Sequence, residues 1–91
     1  MIVNPACMPV LRRGVRRRFD ATRGQNVLLC PERVIMLDDI ADAITQLCDG
    51  RNSVAEISRI LAVRFAADAA VVEADVLGFV QELVDKGLVA T

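Results

Sequence analysis

Short apolar runs separated by turn residues fill the first half of the chain, a pattern typical of β-strands. Strands are predicted at about 15–20, 27–30 and 33–37. The turns between them are residues 22–26 and residues 30–33, where Pro31 occupies a position that favours its fixed φ. Such short connections predict a three-stranded antiparallel sheet.

Apolar residues then recur every three or four positions, which predicts three helices. An aspartate at residue 38 or 39 caps the first helix, whose apolar face includes Ile40, and Gly50 ends it. A capping box of Ser53 and Glu56 opens the second. The third begins near residue 68 and has an apolar arc about 160° wide. This order predicts an α+β fold, a small winged helix-turn-helix-like domain with a three-stranded antiparallel sheet followed by three helices.

Ninety-one residues provide one small core. Residues 1–11 contain Pro5 and Pro9, so we expect an extended N-terminal arm there and a single domain over residues 12–91. Charge divides unevenly along the chain. Residues 1–33 carry seven arginines against two carboxylates, a net +5, and the rest carries four basic against ten acidic groups, a net −6. A basic segment on an acidic body favours a charged partner.

Neither a metal site nor a catalytic centre is expected. The chain has no histidine, and Cys7, Cys30 and Cys48 are too far apart for the usual ligand spacing. No general base is evident, and no cysteine has an activating neighbour in the sequence. We expect no catalytic residues, no metal and no cofactor. Reduced thiols, no signal segment and no apolar run near the roughly 20 residues of a membrane span predict a cytoplasmic protein without membrane contact.

The second and third predicted strands are apolar at nearly every position. A strand with one face in solvent would instead alternate apolar and polar residues. A continuous apolar run implies cover on both faces, by the arm, a second protomer or a bound peptide. The third strand is also a sheet edge, to which an extended peptide can add, placing alternate side chains between that strand and the third helix. The alternative is an ordinary core, completed by dimerisation in a homodimer or sufficient in a monomer.

These segments resemble the PqqD family, the pyrroloquinoline quinone (PQQ) biosynthesis protein D. The resemblance covers residues 10–89 and rests on a combination of motifs. The matching residues are Val27-Leu28-Leu29, Pro31-Glu32, Val34, Leu37, Ala41, Ile44, Leu47-Cys48-Asp49-Gly50, Ser53-Val54-Ala55-Glu56-Ile57, Asp75-Val76, Phe79, Leu83 and Gly87-Leu88.

The resemblance implies a peptide chaperone and not an enzyme. Members of the family bind the precursor peptide PqqA and present it to the radical S-adenosylmethionine (SAM) enzyme PqqE. The peptide adds as a strand beside the third strand and lies against the third helix. The resemblance assigns Arg33, Val34, Ile35, Met36 and Leu37 to the strand edge, and Val72, Val76, Phe79, Val80 and Leu83 to the helix wall.

Two departures leave the partner peptide open. Many relatives carry an aromatic residue where this chain has Leu88, and others have one at the position of Cys30. A recognition element for another ribosomally made, modified peptide is therefore an alternative. A winged-helix DNA-binding module is the other, but residues 53–86 carry three basic against six acidic groups, the wrong sign for phosphate contact. We expect no nucleic-acid partner.

Overall fold

A computed structural model describes residues 1–91. The strands are β1 (Val10–Leu11), β2 (Arg16–Asp20), β3 (Gln25–Leu29), β4 (Val34–Met36) and β5 (Val89–Ala90). The main sheet has the antiparallel order β2–β3–β4, and a second sheet pairs β1 with β5. The helices are α1 (Asp39–Leu47), α2 (Val54–Arg64) and α3 (Ala69–Asp85). The predicted α+β class, with a three-stranded antiparallel sheet followed by three helices, is confirmed.

The bounds of the strands differ from the sequence prediction at the first hairpin. The carboxylate of Asp20 accepts hydrogen bonds from the backbone N–H groups of Thr22 and Arg23, and the Gly24 N–H donates to the Asp20 carbonyl. These bonds close the turn within residues 21–24, so β3 begins two residues earlier than predicted. Gly24 has a φ of +67°, which favours glycine.

The N-terminal segment, residues 1–9, lies against the helices. The carbonyls of Pro5 and Cys7 accept hydrogen bonds of 2.9 Å from the N–H groups of Ala55 and Val54, at the start of α2. The first N–H groups of a helix have no partner within it, so this segment satisfies them. Val3 is buried in the core and its N–H donates to the side chain of Gln81 on α3. The segment therefore covers part of the helical layer.

One face of the sheet packs on the helices. Leu28 and Leu37 are fully buried there, and Ile35 packs beside them. The helices contribute the rest of the core. These side chains are Ala43, Ile44, Cys48, Val54, Ile57, Leu61, Val76, Val80 and Leu83, with Leu88 and Val89 after α3. Apart from Cys48, every core side chain is aliphatic. The sequence predicts such a core because it contains only three aromatic residues.

Asp42 joins the sheet to the helical layer. It lies on α1, nearly buried, and its carboxylate accepts hydrogen bonds from Arg17 of β2 and from Asn26 of β3, the latter at 3.1 Å. Gln46, one turn along α1, donates a third at 3.0 Å. A buried carboxylate is tolerated only when it is paired and hydrogen-bonded in this way. The network fixes the position of the sheet relative to α1.

Cys48 is a core residue at the C-terminal end of α1. Burial, and secondarily the negative charge of Asp49, raises the pKa of its thiol to about 12. At pH 8 the thiolate fraction is therefore about one in ten thousand. Since the thiolate is the reactive form, we expect Cys48 to react slowly in the folded protein.

Replacing Asp42 by alanine leaves the guanidinium of Arg17 and the amide of Asn26 without their acceptor. We expect Asp42→Ala to lower the free energy of unfolding by about 2 kcal/mol or more, measured by urea denaturation. Glu82→Ala is the control, because its ion pair with Lys86 is exposed and such pairs contribute less than about 1 kcal/mol. Equal losses in the two variants would contradict the structural role of Asp42.

Alkylation with iodoacetamide at pH 8 tests the state of Cys48. We expect this thiol to stay unmodified while the protein is folded and to react once urea unfolds it. In the folded protein the side chain is buried, and burial raises its pKa and so lowers the fraction of thiolate. Peptide mapping by mass spectrometry identifies the labelled residue. Modification of Cys48 at the same rate in folded and unfolded protein would contradict the assignment.

Candidate functional site

The open edge of β4 is the main feature of the site. β4 pairs only with β3, so its other side has no neighbour in the sheet. The N–H of Cys30 donates to the Arg33 carbonyl and the N–H of Leu37 donates to the Asn26 carbonyl. Bonded pairs alternate in an antiparallel ladder, so the backbone groups of residues 33, 35 and 37 face β3. Those of Val34 and Met36 therefore face the open side.

The side chains of β4 divide between the two faces of the sheet. Ile35 turns toward the helices and is partly buried against the core. Val34 and Met36 lie on the opposite face and are 50% and 46% exposed. The sequence left open which residues of β4 face the groove, the space between β4 and α3, because a shift of one residue exchanges the faces of the strand. In the structure, Ile35 is on the side of the helices.

Two recesses flank β4, one near each end, and each includes residues of α3 or of the segment directly after it. The first, which we call the α1 recess, has a volume of about 210 Å³. It is lined by Asp38, Ile40, Ala41, Ile44, Asp75 and Phe79. The second, the turn recess, has a volume of about 290 Å³. It is lined by Cys30, Pro31, Glu32, Arg33, Lys86, Gly87 and Leu88.

Local sequence explains these positions. The Asp38 side chain accepts a hydrogen bond from the Ala41 N–H, so the chain turns directly from β4 into α1 and places Ile40 at the mouth of the α1 recess. Ile40 is 45% exposed, whereas its helical spacing predicted burial. At the other end, Gly87 with a φ of +74° ends α3 and directs the chain past the turn recess.

The ten residues assigned to the site from the sequence fall into two groups. Arg33, Val34 and Met36 are exposed, and Ile35, Val72 and Phe79 are partly buried, so these six present surface. The other four are Leu37, Val76, Val80 and Leu83, which belong to the core with at most 2% exposure. Those four hold β4 and α3 in place and offer no free surface.

The recesses contain charged groups that, apart from Arg33, the sequence did not assign to the site. Asp38 and Asp75 place two carboxylates at the α1 recess. Arg33 and Lys86 place two cations at the turn recess against one carboxylate, that of Glu32, and the Lys86 ammonium also pairs with Glu82 at 2.7 Å. The two ends of the β4 edge therefore differ in charge. The signal in the sequence was the position of these charges immediately before β4, immediately after it, within α3 and at the end of α3.

Cys30 and Leu88 line the same turn recess. These are the two positions where the sequence departs from the pattern of the family it resembles. Burial raises the pKa of the Cys30 thiol, and the nearby charge of Arg33 opposes that shift. No group of three or more His, Cys, Asp or Glu side chains is arranged to hold a metal ion. No helix has the length and apolar character that crossing a membrane requires.

Comparison with known proteins agrees with the motifs. A family profile described as "Coenzyme PQQ synthesis protein D (PqqD)" matches residues 25–89. A protein of Rhodopseudomonas palustris (strain HaA2) named "PqqA binding protein" is 49% identical over 85 residues, covering 93% of this chain and 83% of the relative. A Methylorubrum extorquens protein named "Bifunctional coenzyme PQQ synthesis protein C/D" is 49% identical over 79 residues, 87% of this chain but 21% of that protein.

A solved structure gives the same result for the fold. The solution NMR structure of the PqqD truncation of Methylobacterium extorquens PqqCD superposes with a TM-score of 0.86 at 44% identity, covering 98% of this chain and 95% of that one. That domain is described as a functional, stand-alone recognition element for ribosomally synthesised and post-translationally modified peptides. The profile covers most of the chain and the relatives are close to half identical, so the chain belongs to the PqqD family.

Proposed function

We propose that this chain is a peptide chaperone of pyrroloquinoline quinone biosynthesis. It binds a PqqA-like precursor peptide and presents it to a PqqE-like radical SAM enzyme, and it performs no catalysis itself. The observation that carries the proposal is the open edge of β4 between two recesses that α3 helps to form. The name of the Rhodopseudomonas palustris relative and the description of the Methylobacterium extorquens domain support it.

Strand addition follows from the backbone of β4. Val34 and Met36 supply two N–H donors and two carbonyl acceptors on the open side, enough for four main-chain hydrogen bonds to an extended peptide. Peptide residues opposite Arg33, Ile35 and Leu37 direct their side chains toward the helices. Every second side chain of the peptide therefore points into the groove, and the strand that it pairs with has only three residues.

Peptide side chains that enter the groove contact apolar residues, and charged residues lie at both ends of the groove. Ile40 and Phe79 line the α1 recess and are accessible, so they take an apolar side chain of the peptide. Two carboxylates at the α1 recess, and two cations against one carboxylate at the turn recess, favour a peptide with a basic group at one end and an acidic group at the other. This charge difference gives the peptide a preferred direction along β4.

A second candidate is recognition of a different ribosomally made, modified peptide. The observation in its favour is that Cys30 and Leu88, the two departures from the family pattern, line one recess at the end of the groove. A change there alters which side chain fits. Isothermal titration with the PqqA-like peptide encoded in the same genome separates the two candidates, since a folded protein that does not bind it favours the second.

Proline at Met36 tests strand addition. Met36→Pro removes an N–H donor on the open side and places the ring where the peptide strand would lie. We expect peptide affinity to fall by at least about fivefold, because one main-chain hydrogen bond contributes about 1 kcal/mol and the ring adds a clash. Isothermal titration measures the affinity, and circular dichroism confirms that the variant is folded.

Phe19→Pro provides the matched control. Phe19 lies on the opposite edge strand, β2, and the same alternation places its N–H on the outer side of that edge. The control carries the same backbone change at a site that the peptide does not use, so its peptide affinity should equal that of the wild type. A folded Met36→Pro variant with wild-type affinity would exclude strand addition at β4.

Phe79→Ala tests the α1 recess. Phe79 is partly buried, so we expect its removal to weaken peptide binding about tenfold, or about 1.4 kcal/mol, through lost apolar contact. Phe65→Ala removes the same atoms from the end of α2, outside both recesses, and should leave peptide affinity unchanged. Equal peptide affinities for the two variants would place the peptide outside the α1 recess.

A further inference from the structure

The face of the main sheet that points away from the helices carries two apolar rows. The strand register aligns residues across β2, β3 and β4, and side chains in one row point to the same face. The rows are Arg18–Val27–Met36 and Arg16–Leu29–Val34. We call this surface the outer face.

The rest of the chain leaves part of the outer face uncovered. Val34 and Met36 are about half exposed and Leu29 is half-buried, whereas Val27 on the central strand is buried at 2% exposure. The N-terminal segment, one candidate for covering it, lies against α2 and α3 instead. Val27 and Leu29 also line a recess of about 320 Å³ beside residues 18–22. A contiguous apolar surface with polar edges is typical of an interaction site.

The outer face is positively charged along β2. Arg16 and Arg18 are exposed and take part in none of the three ion pairs of the molecule. Arg12 and Arg13, also exposed, precede the same strand. Arg17 differs from them, because its side chain points to the other face and binds Asp42. The outer face therefore combines exposed apolar side chains on β4 with unpaired arginines on β2.

We infer that the outer face docks a second protein whose surface carries acidic side chains around an apolar one. The inference rests on the proposed function and assigns this surface to the modifying enzyme. A second copy of the chain is a poor occupant, because its own outer face presents Arg16 and Arg18 in place of an acidic rim that could pair with them. An acidic rim pairs with the same arginines and speeds association.

Peptide and enzyme can be bound at the same time on this arrangement. A peptide strand lies in the plane of the sheet, beside β4, and leaves the outer face free. Peptide residues opposite Val34 and Met36 would direct their side chains onto that face. An enzyme docked there touches the peptide itself as well as the protein that holds it.

Charge reversal on β2 tests the inference. We expect Arg16→Glu with Arg18→Glu to weaken binding of the PqqE-like enzyme from the same genome to the peptide-loaded protein at least tenfold, by isothermal titration. Peptide affinity should stay at the wild-type value, because β2 is the edge opposite β4. Arg51→Glu with Arg59→Glu is the control for net charge, since both residues are exposed and lie outside the sheet. That variant should bind the enzyme like the wild type.

A neutral variant separates apolar contact from charge. Leu29→Thr keeps a residue that favours strands but removes apolar surface from the central strand, and it should also weaken enzyme binding while sparing the peptide. Equal enzyme affinity of the Arg16/Arg18 variant and its control would overturn the inference and leave peptide binding intact. A wild-type protein that binds the peptide but not the enzyme would overturn both this docking surface and the presentation step. Sedimentation showing a dimer that Leu29→Thr dissociates would assign the face to a second copy instead, and would also overturn it.

Discussion

The carboxylate of Asp42 is the contact on which the geometry of the site depends. It receives hydrogen bonds from β2, β3 and α1, and so it fixes the angle between the sheet and the helices. The distance between the edge of β4 and α3 follows from that angle. A core of aliphatic side chains packs well in more than one arrangement, whereas a buried carboxylate tolerates only one that satisfies it. A small domain with few aromatic residues therefore gains a defined groove from a single polar network.

Short-range sequence signals predict much of the fold. Pro31 and the turn before β4, the aspartate that caps α1, and the capping box of Ser53 and Glu56 are each short-range signals, and the structure contains all three. The first two determine where β4 begins and ends, and hence that it is a short strand. The family resemblance rested on the same segments, which is why the fold was predictable.

The parts that the sequence did not predict depend on contacts between distant residues. The apolar arc of α3 is wide enough to include both core and groove, and periodicity alone cannot separate buried Val76 from accessible Phe79. The N-terminal segment packs on α2 because its carbonyls meet unpaired helical N–H groups, a match that only the folded structure reveals. The face of β4 that carries Ile35 is likewise set by the register with β3.

The pairing of β1 with β5 has a consequence for the architecture of larger proteins. It brings the two ends of the fold together, and the Gln81 side chain also donates to the Met1 carbonyl, while the Thr91 hydroxyl lies 3.3 Å from the Met1 sulfur. A polypeptide thus enters and leaves the domain at one place. Such a unit can be joined to another protein through either terminus, or inserted into a loop, without stretching the host chain. The Methylorubrum extorquens relative, in which the matching region is about a fifth of a longer bifunctional chain, is an arrangement of this kind.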